Sequence, residues 1–130
     1  MAEALISGVL EAKLATSKDI KVGEPTDARR AYLSNKYGVE VHPRNLDVLV
    51  DEDIVILSIK PQNLSEVMAE IGSGLNDEHV VLSIVAGARM DTLSNGLTHA
   101  AVIRVMPNTP AQIGVGMTVW TASADIPQHK

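Results

Sequence analysis

Asn108 and Thr109 stand between two prolines, in the run Pro107-Asn-Thr-Pro110 that follows the apolar stretch "AVIRVM". Two polar side chains pinned at a strand end can hydrogen-bond a ligand and fix its orientation, although a rigid polar loop alone gives the same pattern. A second apolar run ends in "SIKPQ", where Ser58, Lys60 and Pro61 follow one another closely. The Lys60 ammonium could donate a proton, or it could lie in solvent while its main chain makes the contacts. Ala86 and Gly87 carry no side-chain chemistry, and their use would be close backbone approach. Glu24 follows the short run "IKVG", with Arg29 and Arg30 about one helical turn further on. Other chemistries lack their residues. His42, His79, His99 and His129 form no i, i+4 pair, so a metal site is not expected. Ser7, Ser58 and Ser83 lack the flanking glycines of a nucleophile elbow. With no cysteine there is no disulfide framework, thiolate zinc site or cysteine nucleophile.

The elements that must position these residues alternate in type. Leu5, Ile6, Val9, Leu10 and Leu14 recur at helical spacing from almost the first residue, predicting a helix to about Leu14. A strand is expected at Ile20 to Gly23, then a helix from about Asp27 to Tyr37 that Gly38 stops in a left-handed conformation. Val39 to Val41 reads as a minimal strand, His42 to Asn45 as a turn, and Leu46 to Val50 as a helical turn. Ile54 to Ile59 is mostly β-branched or leucine and apolar on both faces, which predicts a strand buried on both faces. Pro61 can open the next helix, in which Leu64, Val67, Met68 and Ile71 share a face and Gly72 marks the stop. Val80 to Val85 repeats the buried-strand form, a short helix follows near Asp91 to Leu97, and strands are expected at Val102 to Met106 and in "GMTVWT". This order implies an α/β fold, a Rossmann-like doubly wound and mostly parallel sheet with helices on both faces. Ligands of such sheets bind beyond the carboxyl ends of the strands. The loops at Gly23 to Thr26, Ser58 to Gln62, Val85 to Ala88 and Pro107 to Pro110 therefore face one edge.

Composition narrows the classes further. A chain of 130 residues with 45% apolar content is one domain, and without phenylalanine its core must be filled by Val, Ile, Leu and Ala. A net charge of -5 with no basic block argues against nucleic acid and against an anionic membrane surface. No apolar stretch approaches the roughly 20 residues of a spanning helix, so a cytoplasmic protein is the default expectation.

Read together, "SIKPQ", "VAG" and "RVMPNTP" resemble the strand-end motifs of the pyrroline-5-carboxylate reductase family. The opening "MAEALISGVL" is similar to the helix that in this family follows a first strand and a glycine-rich turn. The resemblance runs through nearly the whole chain and implies that residues 1–130 are a dinucleotide-binding domain. On that comparison it lacks the first strand and Gly-rich turn at the front, and a helical dimerisation and substrate domain at the back. Such a chain alone is expected to be inactive, because a helix beginning at Met1 forms only part of a pyrophosphate site and the neighbours of an absent central strand lose a ladder of hydrogen bonds.

The implied activity is NAD(P)H-dependent reduction, hydride passing to a cyclic imine to give L-proline, with NADP or NAD as cofactor, an imino-acid substrate and a homo-oligomeric enzyme. Met1 and Ala2 would be the tail of the fingerprint. Glu24 lies 22 positions after Ala2, near the spacing of about 20 at which an acid meets the ribose hydroxyls. Arg29 or Arg30 could instead meet a 2'-phosphate, or all three could be ordinary helix-start and surface charges. Asn45 matches a position on the adenosine side and also suits a turn. Ser58, Lys60 and Pro61 would flank the cofactor's middle, Ala86 and Gly87 would approach it through backbone, and Asn108 and Thr109 would hold the nicotinamide carboxamide. No side chain stands out as a proton donor. Two alternatives remain open, a related Rossmann reductase of another small substrate and a non-catalytic nucleotide-binding or interaction module.

Overall fold

The computed structural model describes residues 1–50, 54–108, 116–123 and 126. Helices and strands follow one another as α1 (Ala2–Glu11), β1 (Lys21–Gly23), α2 (Asp27–Tyr37), β2 (Glu40–His42), β3 (Ile54–Leu57), α3 (Leu64–Ile71), β4 (Val80–Ser83), α4 (Met90–Leu97), β5 (Val102–Pro107) and β6 (Thr118–Ala122). Short 3-10 turns at Ser17–Asp19, Asn45–Val48, Pro61–Asn63 and Gly72–Gly74 fill several of the connections.

The strands form two sheets among the described residues. β1 pairs with β2 in parallel, Val22 opposite Val41, while the larger sheet has the order β3-β4-β5-β6. Its first three strands are parallel and β6 returns antiparallel to β5, Val105 facing Trp120. The fold is the expected α/β architecture with mostly parallel pairing, divided between β1 and β3 rather than continuous.

Each sheet has its own core. Ile6, Leu33 and Val39 are buried together under the small sheet, with Leu10, Ile20, Val22, Tyr37 and Val41 packed around them. The larger cluster draws Leu64, Met68 and Ile71 from α3, Leu93 and Leu97 from α4, and Leu57, Val81 and Val102 from the sheet. Branched and leucine side chains fill both interiors, in keeping with the absence of phenylalanine.

Three elements depart from the sequence expectation. β3 is not buried on both faces: Leu57 faces the core, but Ile54 is 57% and Ile56 44% exposed. Alternate strand residues point to opposite sides, and neither isoleucine joins a core cluster. Helix α1 stops at Glu11 instead of reaching Leu14, which is 79% exposed. Lys13 takes a left-handed φ of 55° there, and the Leu14 N–H donates to the Val9 carbonyl while the Lys13 N–H donates to Leu10. That pair of bonds is a Schellman closure with lysine where glycine is usual. Finally, Gly72 ends α3 at the expected place but keeps a right-handed conformation and leads into a 3-10 turn. Helix α2, by contrast, has the expected bounds, and Gly38 caps it with φ 69°.

Candidate functional site

A groove of about 480 Å³ opens where strand ends from both sheets meet the start of α1. Met1 and Ala2 reach it from α1, Glu24 from the residue after β1, Ser58 and Lys60 from the turn after β3, and Ala86 from the turn after β4. Glu3, Arg29, Ile59, Ile84, Met106 and Pro107 complete the lining. Six of the expected site residues thus share one concavity, drawn from four separate segments of the chain.

Local chemistry explains each loop's shape. Glu24 folds back so that its Oε1 accepts the Thr26 N–H at 2.9 Å, and its backbone carbonyl accepts from Arg30 at 2.7 Å. Arg30 also bonds Asp27, so its guanidinium is held against its own helix start. Lys60 is the extended residue before the Pro61–Asn63 turn, whose proline sits where no backbone donor is needed. In the turn after β4, the Ala88 N–H reaches the Val85 carbonyl and Gly87 has φ +75°. That left-handed conformation is what makes glycine the suitable residue there. Arg104 on β5 pins the turn from beneath, Nε donating to the Ala88 carbonyl at 2.6 Å.

The remaining expected residues lie elsewhere or are otherwise engaged. Pro61 and Gly87 adjoin lining residues but do not line the groove themselves. Asn45 is committed to Glu70, its backbone N–H donating to Oε1 at 2.8 Å and its Nδ2 to Oε2 at 2.7 Å. Its Oδ1 packs against Gly23. The turn interpretation therefore accounts for its side chain. Asn108 joins the last two strands: its N–H donates to the Met117 carbonyl at 3.2 Å, and its Oδ1 accepts the Met117 N–H at 2.9 Å. Thr109 lies outside the described residues.

Glu3 is a charged groove residue that sequence reasoning missed. Its carboxylate accepts Arg29 at 2.7 Å and Tyr32, Lys36 and Tyr37 at 2.8 Å each, all from α2. The Lys36 hydrogen bond, followed by those of Arg29, Tyr32 and Tyr37, holds this carboxyl far below the usual carboxylate range. Reciprocally, the Glu3 bond raises the Lys36 ammonium above its ordinary value. The Arg29 guanidinium also lies 4.8 Å from the centre of the Tyr32 ring, a cation–π distance. A signal was present: Arg29, Tyr32 and Lys36 are spaced i, i+3, i+7 and so share one face of α2.

Among the described residues no group of three or more His, Asp or Glu side chains could hold a metal ion, and no helix is long and apolar enough to cross a membrane.

Comparison with known proteins gives a consistent picture. The family model described as NADP oxidoreductase, coenzyme F420-dependent, matches residues 1–87. A pyrroline-5-carboxylate reductase of a Synechocystis species is 40% identical over 123 residues, covering 95% of this chain and 46% of the relative. That of Escherichia coli is 34% identical over 125 residues, again covering 95% of this chain and 46% of the relative. The chain therefore spans about half the length of the curated relatives it matches. Among solved structures, a pyrroline-5-carboxylate reductase from Coxiella burnetii superposes with a TM-score of 0.91 at 24% identity, covering 98% of this chain and 48% of that one. A Plasmodium falciparum pyrroline carboxylate reductase with NADP bound gives 0.81 at 19% identity, covering 98% and 46%. At these identities the superpositions establish the Rossmann-like fold.

Proposed function

The chain belongs to the NADP oxidoreductase, coenzyme F420-dependent family, and we propose that its groove binds a nicotinamide dinucleotide, NADP or NAD, as the cofactor part of a pyrroline-5-carboxylate reductase. The observation that carries this reading is the convergence of Glu24, Ser58, Lys60 and Ala86, each just beyond a strand's carboxyl end, on one groove that also contains the start of α1. Open α/β sheets bind nucleotides at that edge. Similarity to reductases of this name over 95% of the chain supports the same conclusion.

The lining fits such a cofactor in kind. Glu24 and Arg29 offer polar partners for an adenosine ribose, whereas Ile59, Ile84 and Met106 are apolar surface suited to an aromatic ring. Met1 and Ala2 lie where helix N–H groups can face phosphate oxygens, and Lys60 adds a cation. Asn108 uses its Oδ1 on Met117, and its Nδ2 makes no hydrogen bond to the described residues, leaving donors for a carboxamide. When bound, the nicotinamide supplies the hydride. The residues of this chain bind, orient and shield it from water, and none is assigned a proton transfer.

The reading extends to the whole enzyme, a cytoplasmic homo-oligomer in which an imino acid is reduced to L-proline with the help of a helical domain outside these 130 residues. It also includes a strand and Gly-rich turn lying between β1 and β3. The separate sheets support that insertion, since a central parallel strand would pair with both edges.

The test is reduction of pyrroline-5-carboxylate by the full-length natural protein, followed by loss of reduced-nicotinamide absorbance alongside direct titration with NADPH and NADH. Turnover with proline as product is expected. Dinucleotide binding without turnover of this substrate would overturn the substrate assignment alone, and no binding of either dinucleotide would overturn the cofactor assignment.

A further inference from the structure

We propose that Glu3 is a specificity-determining positioning residue: by binding Arg29 it withholds the groove's arginine from a 2'-phosphate, so the site favours the unphosphorylated dinucleotide. This inference rests on the cofactor reading above and goes beyond it, because that reading leaves NADP and NAD equal.

A 2'-phosphate is a dianion that accepts hydrogen bonds and offers none, so it needs cations or N–H groups that are free to turn toward it. Arg29 lines the groove, but its Nη2 is 2.7 Å from Glu3 and its plane rests near Tyr32. Arg30 is folded onto the Glu24 carbonyl and Asp27. The Thr26 N–H is already taken by Glu24 Oε1 at 2.9 Å. Lys36 is turned onto Glu3 and Tyr32. Each of these four groups therefore gives at least one N–H to an internal acceptor.

The acceptors lead to the same conclusion. Glu3 and Glu24 bring two carboxylates to the lining where Arg29 brings one guanidinium. Glu24 Oε2 accepts no bond from the described residues, so a ribose diol can donate to it without displacing anything. A 2'-phosphate would instead meet that carboxylate with like charge and would share the Arg29 guanidinium, whose charge Glu3 already offsets through Nη2. The hub is also difficult to loosen, because three further α2 donors hold the Glu3 carboxylate in place. Glu3 thus acts through Arg29 and need not touch the cofactor's sugar itself.

The experiment measures dissociation constants for NADPH and NADH by calorimetry on the full-length natural protein, its Glu3→Gln and Arg29→Ala variants, and the double variant. The readout is the ratio of the two constants. The ligands differ only in the 2'-phosphate, so a general loss of structure does not move it. The wild type should prefer NADH. Glu3→Gln should shift the ratio toward NADPH by about fivefold or more, the size of one partly exposed charge-assisted hydrogen bond, and Arg29→Ala added to it should abolish the shift. Arg29→Ala alone, which keeps the Glu3 bonds to Lys36 and both tyrosines, should leave the ratio within about twofold of wild type. If both dinucleotides bind and Glu3→Gln leaves the ratio unchanged, or if Arg29→Ala selectively weakens NADPH, the inference fails while the cofactor reading stands. If neither dinucleotide binds, both fail.

Discussion

Replacing Gly23 by alanine adds one methyl group at the junction that aims Glu24 into the groove. A Cβ at this position would lie 2.5 Å from Asn45 Oδ1, 3.3 Å from its Cγ and 3.1 Å from its Cα. Asn45 cannot simply swing aside, since Glu70 holds both its backbone N–H and its Nδ2 at 2.8 and 2.7 Å. Overpacking of this kind costs about 1–3 kcal/mol, offset by about 0.4–1 kcal/mol from a stiffer unfolded chain. The expected net loss is about 1–2 kcal/mol, read from urea denaturation followed by circular dichroism. Asn45→Ala removes Oδ1 and Cγ but leaves the backbone of that residue in place against the new methyl group. The double variant should therefore recover only part of the loss, with a coupling energy of about 0.5–1.5 kcal/mol. A Gly23→Ala loss below about 0.5 kcal/mol, or strict additivity in the cycle, would refute the reasoning.

Acid should loosen the packing of α1 on α2 through Glu3. Its folded pKa lies below its ordinary value of about 4.3, so the contribution to stability is complete above roughly pH 5 and is lost as pH falls through the ordinary value toward the folded one. Glu3→Gln should flatten this part of the stability-versus-pH curve, and an unchanged slope in urea midpoints would contradict the assignment. Gly87→Ala meets no atom within 4 Å, so its cost should be conformational alone, about 1–2 kcal/mol for a left-handed alanine. A neutral result in denaturation would mean that the turn relaxes. Leu93→Ala, at a fully buried position of the larger core, should cost about 2–5 kcal/mol yet leave the NADPH-to-NADH ratio of dissociation constants unchanged. A shift in that ratio would mean that core packing, rather than the groove's charges, governs discrimination.

Local signals located most elements. Helix α2 could be bounded from Asp27 and Gly38 because a helix-start acid and a left-handed stop are properties of adjacent residues. The strand-end loops were equally legible, since apolar runs ending in Pro or Gly fix both the strand and its exit. Where α1 stops was not legible: Lys13 adopts a conformation that its residue type does not advertise, and Leu14 continues the apolar spacing. Exposure of Ile54 and Ile56 was hidden too, because an apolar strand records its residues' transfer preference and not which neighbours are present. At the site, residues chosen for their loops, such as Glu24, Ser58 and Lys60, share the groove. Asn45 and Asn108 have partners 25 and nine residues away in sequence, Glu70 and Met117. Glu3 lies 26 to 34 residues from its donors, a separation at which only a helix-face comparison would have revealed it.

The most direct test follows backbone amide resonances of the isotope-labelled full-length protein during titration with NADH and NADPH. Binding in the groove predicts shifts concentrated at Ala2, Glu24, Ser58, Lys60 and Ala86, with the opposite edge at Asp77 and Thr98 to Ala101 unmoved. Shifts confined to that opposite edge, or none at saturating dinucleotide, would contradict it.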